Sequence, residues 1–216
     1  MAVPSLPDTQ EDILSLRQAG DIFQSQQGPS VVDVSLRALI VDHNVADQFG
    51  VILVHRHSNL EQGEAMVAFN STATPWPSRS CNPCGGSIVP QAWRINNGKL
   101  QPYEYRFIPS ESGVTNVLDE HSAFVEEFIK AIEHHGLSSC AGLSLVPEGG
   151  KECLEITVNS TNIMIPSDQL QPGQMELGST ETMWFFDQKE QYRKYKCRCV
   201  DTGSSTNSNH NHIDGA

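Results

Sequence analysis

His55 and His57 place two imidazoles two residues apart, and Glu61 adds a carboxylate four residues further on. On an extended strand, positions i and i+2 face the same side, so both rings enter one space and Glu61 can close a facial site for a divalent metal. Water or a substrate would occupy the metal's open position. Without a metal, the same residues make a polar cleft of hydrogen-bonding side chains. His55, His57 and Glu61 are therefore the candidate catalytic residues, with Glu64 as a substitute for Glu61.

A second set of donors is Cys81-Asn-Pro-Cys84-Gly85-Gly86 together with Cys197-Arg-Cys199. The glycines let the backbone curl so that Cys81 and Cys84 face one ion, and the downstream pair completes a structural zinc site with four thiolates. A redox pair competes with this reading. It needs a helix N-terminus to lower the thiol pKa, and Gly85-Gly86-Ser87 leads into a β segment instead. Cys140 and Cys153 read as core residues, and His134 and His135 as cations complementing a helix C-terminus.

Gly50, four residues, His55-x-His57, three residues and Glu61 resemble the first motif of the cupins. In that family the gap after the glycine is one residue longer, and a second motif with Pro-x-Gly supplies a further His. No such segment follows here; the next histidine is His121. The resemblance implies a metal held by His55, His57 and Glu61.

The elements that must position these groups follow from periodicity. A helix is expected over 8–27, capped by Asp8 and Thr9, and a second over 31–46. Val51 to Val54 is the continuous apolar run of a strand buried on both faces, over 49–57, and a further strand covers 64–74. Asn96-Asn97-Gly98 joins strands 87–95 and 99–108 into a hairpin, because Asn and Gly accept the positive φ that such a turn demands. Phe124, Phe128, Ile129 and Ile132 stripe a helix over 122–135 that Gly136 terminates. Strands follow at 143–146, 153–158 and 162–165, whereas 183–195 reads as strand or helix.

Strands in a run, then a helix, then more strands predict an α+β fold. It is a mostly antiparallel sheet with one aromatic-striped helix (about 121–135) and one or two N-terminal helices packed on it. A single domain spans 8–200, between a flexible 1–7 and a disordered 201–216 with nothing apolar to bury.

The 216 residues carry 26 acidic and 14 basic side chains, a net charge of minus 12 that suits a nonspecific nucleic-acid binder poorly. Lys189, Arg193, Lys194, Lys196 and Arg198 against Glu190 make 189–198 plus 4, leaving minus 16 elsewhere. Tyr192 and Tyr195 lie within that basic stretch, which suits either an RNA or phosphate ligand or, more simply, acidic neighbours in the fold. There is no basic segment followed by an apolar run and no membrane-length apolar stretch, so a cytoplasmic protein with reduced thiols is expected. On that reading the sequons at Asn70 and Asn159 are coincidental. Dinucleotide, P-loop, α/β-hydrolase and zincin motifs are missing.

Taken in order, Phe49-Gly-Val-Ile-Leu-Val-His-Arg-His57, Ala73-Thr-Pro-Trp76, Leu100-Gln-Pro-Tyr-Glu-Tyr105 and the helix ending His135-Gly-Leu137 resemble a family of small filamentous-fungal proteins. The resemblance spans about 45–200 and implies an intracellular fungal protein accessory to specialised metabolism, with no catalytic residues handed over. Two functions follow as expectations. One is small-molecule binding or turnover in a cleft of His55, His57 and Glu61, with a divalent metal as the cofactor. The other is a noncatalytic module, stabilised by zinc at Cys81, Cys84, Cys197 and Cys199, that presents an acidic surface to a protein partner.

Overall fold

The computed structural model describes residues 13–77, 86–109, 117–147, 149–189 and 193–200. Ten strands follow three stretches of helix and loop in the chain: β1 (Phe49–Leu53), β2 (Glu64–Phe69), β3 (Thr72–Pro77), β4 (Ser87–Asn96), β5 (Lys99–Ile108), β6 (Ala141–Leu145), β7 (Cys153–Val158), β8 (Thr161–Pro166), β9 (Ser179–Phe186) and β10 (Arg193–Val200). They close into a barrel in the order β1-β6-β4-β5-β2-β3-β8-β7-β10-β9, and β9 pairs back onto β1 through Val51–Trp184 and Ile52–Met183. The expected α+β class, a mostly antiparallel sheet with helices packed on it, is thereby corrected to a closed ten-stranded β-barrel. Closure depends on pairing β1 with a strand some 130 residues away, and local periodicity carries no information about such a contact.

Two pairings, β2 with β5 and β7 with β10, are parallel, and the others are antiparallel. The β4–β5 hairpin turns on Asn97 and Gly98, both at positive φ, as the sequence requires. Elsewhere the sequence misleads in detail. The strand expected over 64–74 is two strands, because Asn70 at φ 54° turns the chain between them. Of the ambiguous stretch 183–195, residues 183–186 lie in β9 and 193–195 in its antiparallel neighbour β10.

Helix α1 (Leu16–Ser25) starts later than expected. Ser15 caps it, its Oγ accepting from the Gln18 amide while the Gln18 side chain accepts from the Ser15 amide. A second helical stretch runs through α2 (Gly28–Val31), a π-helical turn at Val32–Leu36 and α3 (Arg37–Asp42). The fourth, α4 (Ser122–His134), buries Phe124, Phe128 and Ile132, and Phe124 stacks on Phe49 with centroids 5.5 Å apart. No helix among the described residues is long and apolar enough to cross a membrane.

Strand alternation separates two cores. Val51 and Leu53 of β1, with Trp184 and Phe186 of β9, pack against Phe23, Leu36, Ile40, Phe124 and Phe128 of the helices. The intervening Ile52, Met183 and Phe185 join Val54, Cys153, Tyr195 and Cys197 in a separate cluster. In a closed barrel the face turned away from an external helical layer is the interior, so this second cluster fills the lumen. Burial on both sides explains why β1 is apolar without alternation.

Candidate functional site

β1 ends at Leu53, so His55 and His57 lie just beyond it rather than on the longer strand expected over 49–57. The backbone stays extended by borrowing partners. The Val54 amide donates to Cys140, the Arg56 amide donates to Leu14, and Arg56 bridges to Ser15 beside the start of α1. The two imidazoles still converge, with centroids 4.5 Å apart and planes at 66°. His55 is 2% exposed, and the His57 side chain 5%. They are therefore enclosed, and no open cleft surrounds them.

Glu61 does not join them. It is exposed, and its amide donates to the Glu64 carboxylate at 2.9 Å, which occupies the proposed substitute as well. The carboxylates at the site come from elsewhere in the barrel. Glu155 of β7 is 2% exposed, and Glu104 of β5 lies 3.4 Å from His57 Nε2. Cys199 of β10 supplies a thiol 4.0 Å from His57 Nδ1. In the parallel β7–β10 pair, Cys199 is in register with Glu155, which aligns the two donors. Ligand atoms of His55, His57, Glu155 and Cys199 all lie within 4.8 Å of one another.

Both histidines and the glutamate have one atom held and one atom offered. His55 Nδ1 donates to the Leu53 carbonyl at 2.8 Å, which fixes its tautomer and leaves Nε2 buried, without a partner among the described residues. His57 turns Nε2 toward Glu104 and Nδ1 toward Cys199. Glu155 Oε1 accepts from the Asn162 amide at 3.3 Å, while Oε2 is buried and unpartnered among the described residues. Buried polar atoms are nearly always satisfied, and two orphans fall in this one cluster of side chains that could hold a metal ion.

Electrostatics agree with that reading. Burial, reinforced by the neighbouring His57, pushes His55 down to about 3, so it is a neutral imidazole at any ordinary pH. His57 goes the other way. Burial alone would lower it, but hydrogen bonds to Cys199 and Glu104 and the charges of Glu155 and Glu104 hold it well above its usual range. Burial raises both Glu155 and Cys199, against the opposing pull of His57. A cation on His57 is what balances the buried carboxylates beside it.

The four-cysteine centre fares differently. Cys81 and Cys84 lie outside the described residues, and the downstream pair does not act as one unit. Cys199 joins the histidines, whereas Cys197 packs in the lumen against Cys153, with which it is in register. The basic stretch is largely paired with acid: Lys196 and Arg198 meet Glu181 at 2.8 and 3.1 Å, and Lys194 meets Asp47 at 3.4 Å.

Sequence reasoning missed Glu155, Glu104 and Cys199 as partners of the histidines. A usable signal existed for Glu155. In Cys153-Leu-Glu-Ile-Thr-Val158 it shares a strand face with Cys153, and a carboxylate beside a core residue needs a partner. No family model matches the chain, and no curated protein or solved structure matches it either.

Proposed function

We propose that the barrel binds one divalent transition metal ion, of zinc type, through His55 Nε2, His57 Nδ1, a Glu155 carboxylate oxygen and Cys199 Sγ. The observation that carries this reading is that all four side chains converge while a neighbour fixes the remaining polar atom of both histidines and of the glutamate. Two neutral imidazoles, a carboxylate and a thiolate neutralise a dication and mix borderline with hard donors, a combination zinc accepts. Tetrahedral bonds of about 2.0–2.3 Å separate ligand atoms by about 3.2–3.8 Å. Closing the cluster onto an ion therefore takes shifts of about 1 Å.

Four protein donors complete the coordination sphere, and two cavities of about 610 and 700 Å³ in the structure are not lined by these residues. A closed four-ligand sphere with no route for substrate is the mark of a structural rather than a catalytic zinc. The ion then clamps the segment after β1 to β7 and β10, and the proposed role of His55 and His57 moves from catalysis to holding the barrel together. Small-molecule binding is left to the 700 Å³ cavity.

Elemental analysis of the full chain, purified in metal-free buffer and reloaded with zinc, tests this. About one equivalent is expected, retained in a Cys81→Ser, Cys84→Ser variant and lost in His55→Ala with His57→Ala. Stoichiometric zinc that survives the histidine changes and disappears with Cys81 overturns the proposal.

A further inference from the structure

Two residues along the same strands lies a second set of donors of different chemistry. Cys197 of β10 is in register with Cys153 on the parallel neighbour β7 and with Met183 on the antiparallel neighbour β9. Residues in register on adjacent strands project to the same face, with Cβ atoms about 4.5–5.5 Å apart. Three sulfur side chains thus stand in a row across three strands. All three belong to the luminal cluster, and Met164 packs against it from β8.

The row borders a cavity. Cys153, Cys197, Met183 and Met164 all line the space of about 700 Å³ that residues of the Phe69–Ser71 turn and Pro147, Gly149, Lys151 and Glu152 also line. A structural pair of core thiols has no need of an entry path, and a metal site does.

We infer that Cys153, Cys197 and Met183 form a site for a soft monovalent cation, with Cu(I) as its chemical representative and Met164 as a fourth donor within reach. Thiolate and thioether ligands select Cu(I) over harder divalent ions. Strand spacing of about 4.8 Å sets the two cysteines on either side of a single ion. Binding is ligand exchange without change of oxidation state: Cu(I) gives up its bonds to the carrier ligands, which leave with their electron pairs, and forms two Cu–thiolate bonds and one Cu–thioether bond, while each thiol gives its proton to solvent. The mixed donor set at His55, His57, Glu155 and Cys199 and the sulfur row at Cys153, Cys197 and Met183 thereby sort borderline from soft ions over a separation of two residues.

The experiment loads the reduced full-length protein anaerobically with Cu(I) in competition with a chromogenic Cu(I) chelator, and reads the coordination shell by X-ray absorption. One Cu(I) per chain with a sulfur-only shell is expected. Met183→Leu, close to isosteric and so safe for folding, should weaken retention at least tenfold, and Cys197→Ser should abolish it. Prior loading of one equivalent of zinc should leave it unchanged, which separates this site from the zinc proposal. Nitrogen in the shell, loss of Cu(I) on replacing Cys81 and Cys84 alone, or unchanged retention in Met183→Leu would overturn the inference.

Discussion

Loading zinc into the histidine cluster should release two protons per ion near pH 7. Before metal binds, burial raises the Cys199 thiol above its usual range and keeps it protonated, and His57 is held well above 6.5 by Cys199, Glu104 and Glu155 despite its burial. Both must lose a proton to become ligands. His55, pushed down to about 3, is already neutral and contributes none. Two displaced protons make the apparent affinity rise about 100-fold per pH unit, since each contributes a tenfold change. Titration calorimetry in buffers of different ionisation enthalpy measures the count directly: the slope of observed enthalpy against buffer enthalpy should be close to two. Cys199→Ser should reduce it to about one, while His55→Ala should weaken binding without changing it. A slope near zero for the wild type would refute the electrostatic picture, and an unchanged slope in Cys199→Ser would remove the thiol from the site.

Glu104 holds the His57 ring without being a ligand, so Glu104→Gln should lower zinc affinity about 10- to 100-fold while leaving the stoichiometry at one, as read by competition with a metal indicator. Gly50 faces β9 so closely that an added Cβ would sit 2.4 Å from the Phe185 ring and 2.6 Å from the Trp184 carbonyl oxygen. Backbone cannot yield there, so Gly50→Ala should cost about 1–3 kcal/mol and lower Tm by several degrees in a thermal melt. Tyr105, buried, is pushed from 10 up to about 12. The folded state then keeps a proton that the unfolded chain loses, so this stability is complete below pH 10 and disappears between about pH 10 and 12. The loss is about 2–3 kcal/mol. Urea denaturation in that window should show a shallower decline for Tyr105→Phe, and equal declines would sink the assignment.

Local signals located individual elements well and their assembly poorly. Asn97-Gly98 is chemically committed to a tight turn, and the Phe124–Ile132 stripe fits only a helix with one buried face, so short windows sufficed for both. Closure of the barrel rests on β1 meeting β9 and on two parallel pairings, and those contacts leave no mark in any window. The same limit governed the site. His55 and His57 were legible because their spacing is local, but their carboxylate was sought four residues away at Glu61. The fold supplies Glu155 instead, a hundred residues on, by aligning it with Cys199 across β7 and β10.

That alignment also bears on how the barrel stays closed. The β1–β9 seam is registered at only two residue pairs, and beyond Leu53 the chain leaves β9 to bond with Cys140 and Leu14. Directly past this short seam stand His55 and His57, facing Glu155 and Cys199 from strands on the far side of β9. An ion held by all four spans the seam from within. Its binding free energy would then oppose the opening of a seam that the backbone registers at only two residue pairs. Without a metal, His57 as a cation between Glu104 and Glu155 would supply a weaker form of the same bridge, because a proton joins fewer groups than a metal does. On the proposed reading the buried charges are not surplus to the core but would reinforce the last strand pairing of a closed sheet.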